Sequence, residues 1–120
     1  MGQPVIQFQI IAKNPDRAAE FYCNLFDWTV NRDNALDYRA IDTGTDQGIS
    51  GGIWPAPPEG HGMVQLFVQV DDVAAKAEKA AELGAKTIIP PQSLPDGDQM
   101  AVLLDPEGVT FGLFRPAAAK

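Results

Sequence analysis

The sequence predicts an α+β domain in which one strand–helix–three-strand unit, βαβββ, is used twice. Three observations predict it. A strand-like run ending in a helix cap occurs over 5–14 and again over 63–72. Each is followed by one helical pattern and then by three short strand-like segments. Sliding the chain by 58 positions also superimposes the two copies without a gap. Gln7 then meets Gln65, Phe8 meets Leu66, Ile10 meets Val68, and Asn14 meets Asp72. Ala19 meets Ala77, Glu20 meets Glu78, Leu25 meets Leu83, and Val30 meets Ile88. Any two strand–helix units share apolar positions, but glutamine over glutamine and cap over cap point to a true internal repeat.

The first strand is VIQFQIIA, 5–12. Its alternation sends Ile6, Phe8 and Ile10 toward a helix and Gln7 and Gln9 to the other face. Asn14 is an N-cap whose side chain accepts from free amides, and Pro15 suits the first helical turn, where no N–H is needed. The helix over 15–26 carries an apolar stripe of Phe21, Tyr22, Leu25 and Phe26 opposite Asp16, Arg17, Glu20 and Asn24. Strands are then expected at 28–32, 38–42 and 48–54. The Pro- and Gly-rich stretch PAPPEGHG, 55–62, joins the halves, giving modules over 4–55 and 62–116 of a single domain.

In the second module MVQLFVQV, 63–70, places Val64, Leu66 and Val68 on one face, with Gln65, Phe67 and Gln69 on the other. Asp72 caps a helix over 73–83 whose buried face would be Val73, Ala77, Ala80 and Leu83, and Gly84 fits the left-handed end position. Strands follow at 86–90, 100–105 and 110–114, the last two joined by the tight turn Asp105-Pro106-Glu107-Gly108. The tail from Pro116 is expected to fray. A ferredoxin-like dimer would need only four strands, so three strands after each helix argue against it.

Composition excludes several functions. The formal charge of −7, without a basic cluster, repels nucleic-acid phosphates and anionic membranes. No apolar run is long enough to span a bilayer. The start MGQPVIQFQI lacks the pattern of a secretory signal, and Ile6 stands where the myristoylation pattern wants Ser or Thr. A single cysteine, Cys23, rules out an internal disulfide and fits a reducing, cytoplasmic compartment. Nothing ties His61, in the linker, to Cys23, so a cysteine nucleophile lacks its base.

The chain resembles the vicinal oxygen chelate superfamily, the glyoxalase/bleomycin-resistance/dioxygenase group, along essentially its whole length. The residues that carry the resemblance are NPDRAAEFY (14–22), LFDW (25–28), Gly51-Gly52-Ile53 before Pro55, VDDV (70–73), LGA (83–85) and DPEG (105–108). It implies paired βαβββ modules with curved mixed sheets around a cavity, and often a homodimer.

In metal-dependent relatives the ligands come from the first and last strand of each module. Here the first-strand positions hold Gln7 and Gln65; the last-strand positions fall on Gly112 and, within a residue or two, on Gly51. Divalent metals are held by imidazole, thiolate or carboxylate, so glutamine and glycine predict no metal and no other cofactor.

The expected function is therefore metal-free binding, or sequestration, of a small organic molecule. Its ligand-binding set would be Gln7, Gln9, Trp54, Gln65, Phe67, Gln69 and Phe114: amides to orient a ligand and rings to stack on it. On the strand pattern alone, the glutamines could equally face solvent. Trp54 could also be a packing residue, and Trp28 is assigned to core or dimer interface. The alternative function is a metal-dependent lyase, epimerase or dioxygenase with a displaced site drawing on Asp37, Asp42, Asp46 or Glu59. A third is a partner module with a vestigial cavity.

Overall fold

A computed structural model describes residues 2–33 and 38–117. The element order is β1 (Val5–Ala12), α1 (Pro15–Phe26), β2 (Thr29–Asn31), β3 (Arg39–Asp42) and β4 (Ser50–Pro55), then β5 (Met63–Gln69), α2 (Val73–Glu82), β6 (Lys86–Ser93), β7 (Gln99–Leu104) and β8 (Thr110–Arg115). The βαβββ order occurs twice. The chain divides into two compact units, one of residues 7–65 and the other of residues 1–6 with 66–120. No helix among the described residues is long and apolar enough to cross a membrane.

In the first unit the strand order is β2-β3-β4-β1. β1 runs parallel to β4, with Gln9 opposite Gly52; the other pairs are antiparallel. The core is Ile10, Ile41 and Ile53, to which α1 contributes Ala18, Ala19 and Tyr22. This corrects the expected stripe. Tyr22 packs inward, but Phe21, Leu25 and Phe26 are exposed, because the helix turns Ala18, Ala19 and Tyr22 toward the sheet. Trp28 belongs to the core side: its ring lies 5.9 Å from Phe8, 6.0 Å from Tyr22 and 5.1 Å from Phe26.

The Asn14 side chain accepts from the Arg17 amide, capping α1. Asp16, in the first turn, accepts from Arg39 Nε at 2.9 Å and Nη2 at 2.7 Å and from Arg32 Nη1 at 3.3 Å. These bonds tie the start of β3 to the start of the helix.

In the second unit the order is β5-β8-β7-β6, with β5 parallel to β8 and the rest antiparallel. The core is Val70, Val73, Ala77, Ala101, Leu103 and Leu113. α2 packs over β6, β7 and β8. Asp72 caps it through the Ala75 amide, Gly84 takes φ 105°, and Leu83, expected on the buried face, is exposed at the C-cap. The turn after β7 closes through Gly108 N–H to Asp105 carbonyl, and the Asp105 carboxylate accepts from the Glu107 and Val109 amides.

β6 is longer than expected, running through Pro90 and Pro91 to Ser93. Its pairing with β7 slips between Thr87 and Ile89 and again between Ile89 and Gln92, and every residue of it is exposed. It is the end strand of its sheet, which is where prolines are tolerated.

Candidate functional site

β1 delivers the expected alternation. Phe8 and Ile10 pack with α1, while Gln7 and Gln9 are half-buried on the other face. On that other face the neighbours of Gln9 are set by register: Gly52 lies beside it on β4, and Ala40 lies beside Gly52 on β3. Tyr38, two residues before Ala40, projects the same way. Its hydroxyl donates to Gln9 Oε1 at 3.0 Å, and its ring is 5.8 Å from that of Trp54. A side chain on Gly52 would run into the Tyr38 phenol, so the glycine makes the room the ring uses. Burial pushes the Tyr38 hydroxyl up to about 12, so it is neutral and a donor at ordinary pH.

Tyr38 carries no role in the sequence reading, which places it only at a strand start. The signal was available in the alternation of β3: Ile41 enters the core, so Tyr38 and Ala40 must face the opposite side.

In the other unit the equivalent of Gln9 is Phe67, which lies opposite Gly112 on β8. Its ring occupies the volume a Gly112 side chain would take and meets Phe114 edge-on at 6.5 Å. Gln69 is half-buried and pairs with Phe114, and its backbone N–H donates to the Pro4 carbonyl. Gln65 is 8% exposed and Phe67 2%, whereas Val64 and Leu66 are 59% and 48% exposed. The alternation places Val64 and Leu66 on one face and Gln65 and Phe67 on the other, and the second of these is the buried one. The core beneath α2 is built on Val70, Val73, Ala77, Ala101, Leu103 and Leu113, and neither Val64 nor Leu66 belongs to it. Gln65 donates from Nε2 to Met63 Sδ at 3.9 Å.

The expected site residues thus fall into groups. Gln9 and Trp54 meet through Tyr38, Phe67 meets Phe114, and Gln65 turns to its own strand neighbour. Gln7 sits opposite Ser50 on β4.

The registers also settle which glycine of the first unit corresponds to Gly112. Phe67 pairs Gly112 as Gln9 pairs Gly52, so the position is Gly52, not Gly51. A side chain on Gly51 would run into the Phe8 carbonyl instead.

A metal does not fit these positions. Two of them are glycines covered by aromatic rings, and the strand-borne donors are amides. Among the described residues no three His, Cys, Asp or Glu side chains gather into a metal-binding group. Asp37 lies outside the described residues, as do the last three residues of the tail. Asp42 accepts from the Gly44 amide in its own loop. Cys23 is half-buried on α1 and His61 is exposed in the linker.

Residues 6–114 match the family model of the glyoxalase-like domain, and the chain belongs to that family, within the vicinal oxygen chelate superfamily. Among curated proteins it is similar to CFP32 of Mycobacterium bovis and of Mycobacterium tuberculosis, a protein named as a glyoxylase, with 30% identity over 112 residues. That match covers 91% of this chain but 42% of the relative, so the chain spans less than half of the relative's length.

Among solved structures it is similar to methylmalonyl-CoA epimerase of M. tuberculosis, with a TM-score of 0.70, 14% identity, and coverage of 95% of this chain and 88% of that one. The protein BH1468 of Bacillus halodurans gives a TM-score of 0.73 at 13% identity, covering 100% of this chain and 99% of the other. At these identities the structural likeness is one of fold.

Proposed function

We propose that this chain binds a small, planar organic molecule without a metal, using the face formed by Gln9, Tyr38 and Trp54. The observation that carries this reading is the Tyr38–Gln9 hydrogen bond over Gly52, beside the Trp54 ring. A neutral phenol and an amide offer a donor and acceptor pair, and the partly exposed indole offers a stacking face. The absence of charge from this trio favours a ligand recognised by hydrogen bonds and ring contact.

Titration of planar antibiotics and other aromatic heterocycles against the intrinsic tryptophan fluorescence tests this. Saturable quenching is expected, abolished in Trp54→Phe, weakened about tenfold in Gln9→Ala, and unchanged by a chelator. Failure of a broad panel to bind at millimolar concentration, or loss of binding on chelation, would overturn it. A homodimer and a cytoplasmic location belong to the same proposal; sedimentation of the purified chain tests the first.

A second reading draws on the relatives, whose names include a glyoxylase and an epimerase: a metal-dependent glyoxalase-like lyase, epimerase or dioxygenase with an atypical site. Elemental analysis of untagged protein separates the two. A stoichiometric transition metal that survives dialysis would favour the enzyme.

A further inference from the structure

The second unit holds a groove of about 300 Å³ between α2 and the strands β5 and β8. Val70 and Leu113 form its buried base, and Val68, Phe111 and Leu83 extend its apolar wall. Two cations line it as well, Lys76 and Lys79. Neither belongs to an ion pair among the described residues. Lys76, Lys79, Ala80 and Leu83 follow the helical spacing that puts them on one face, so charge and apolar surface are presented together. Glu78 and Glu82 are on the same helix but do not line the groove.

A lysine often lays its methylene stem over apolar surface and keeps its ammonium in water. Here two lysines line one hollow together with apolar side chains, in a chain whose net charge is −7. A local cationic rim against that background selects an anionic head, and the wall beneath selects a hydrocarbon tail. The volume is at the lower end of the small-molecule range, so the tail is short. The acidic chain as a whole repels the extended charge of an anionic bilayer far more than a single carboxylate, which assigns the groove to a free molecule and not to a lipid surface.

We infer that this groove binds a short-chain amphiphilic carboxylate, its head between Lys76 and Lys79 and its tail against Val68, Phe111 and Leu83. The site is separate from the Gln9, Tyr38 and Trp54 face and does not depend on that reading.

Titration of the ¹⁵N-labelled full chain with octanoate, below its micellar range, tests the inference, with octanol as the uncharged comparator. Saturable shifts are expected at the amides of Lys76 through Leu83 and of Phe111 through Leu113. Octanoate should bind about fivefold more tightly than octanol, and the K76Q/K79Q variant should lose that difference. Raising the salt concentration should weaken octanoate alone. Equal binding of octanoate and octanol by the wild-type chain would overturn the inference, as would unchanged octanoate affinity in a folded K76Q/K79Q variant. Shifts confined to other residues, or no saturation, would also overturn it. The wild-type comparison keeps the test decisive even if the variant fails to fold.

Discussion

The ring of Phe67 fills the volume into which a side chain on Gly112 would project, and Tyr38 stands in the same relation to Gly52. Both units therefore close the equivalent last-strand position with an aromatic ring laid over a glycine. Phe67 is buried and held by Phe114, so it has little freedom to give way. Gly112→Ala should destabilise the chain by about 1–3 kcal/mol through overpacking. Combining it with Phe67→Leu should cost less than the sum of the two single changes. Urea denaturation of the four species measures this; additive costs would show that the ring and the glycine are not coupled.

Tyr38 gives a pH dependence with a definite sign. Its folded-state value of about 12 lies above the ordinary 10, so the native chain retains this proton more tightly than the unfolded one. The contribution is fully present below about pH 10 and is lost as pH rises toward 12. Its size is about 3 kcal/mol at most. Tyr38→Phe should flatten the stability profile in that window while costing about 1 kcal/mol at neutral pH, because Gln9 loses its donor. Denaturation midpoints compared at pH 8, 10 and 11 are the measurement, together with ultraviolet titration of the phenol.

The helix caps should have comparable weight in the two units. Asn14→Ala and Asp72→Ala each free a first-turn amide, at N3 of α1 and α2. Each should lower stability by about 1 kcal/mol, and glycine at either site should cost only a few tenths. Thermal melts of the alanine and glycine variants check the ranking.

Asp16 is the hub of an exposed ion cluster, its side chain 70% accessible while Arg39 is mostly covered. Solvent screens such a pair, so Asp16→Asn should cost no more than about 1 kcal/mol. The loss should shrink in molar salt. A larger, salt-independent cost would mean that Asp16 acts chiefly through the packing of Arg39.

The repeat, both caps, the turn at Asp105 and the order of elements were legible because each rests on local chemistry: alternation, cap residues and Pro–Gly turns. The faces of the strands were legible where a helix defines them, as for Phe8 and Ile10. On β5 the alternation was legible, Val64 and Leu66 against Gln65 and Phe67, but alternation says which residues share a side and not which side is covered. Phe21 and Leu25 failed for a related reason. Apolar periodicity finds the stripe, but the fit of Ala18 and Ala19 against the sheet decides its rotation. Of the candidate site, the glutamines and rings were readable one at a time. The Tyr38–Gln9 bond was not, since it joins residues 29 positions apart across three strands.

The two prolines of β6 have a consequence for how these molecules meet one another. Pro90 and Pro91 carry no N–H, so β6 lacks two consecutive backbone donors. They fall where the ladder to β7 already slips. A strand interrupted in this way is a poorer template for a foreign strand. Ile88 and Ile89 are exposed on this margin, and the two pyrrolidine rings make it a poor seed for aggregation.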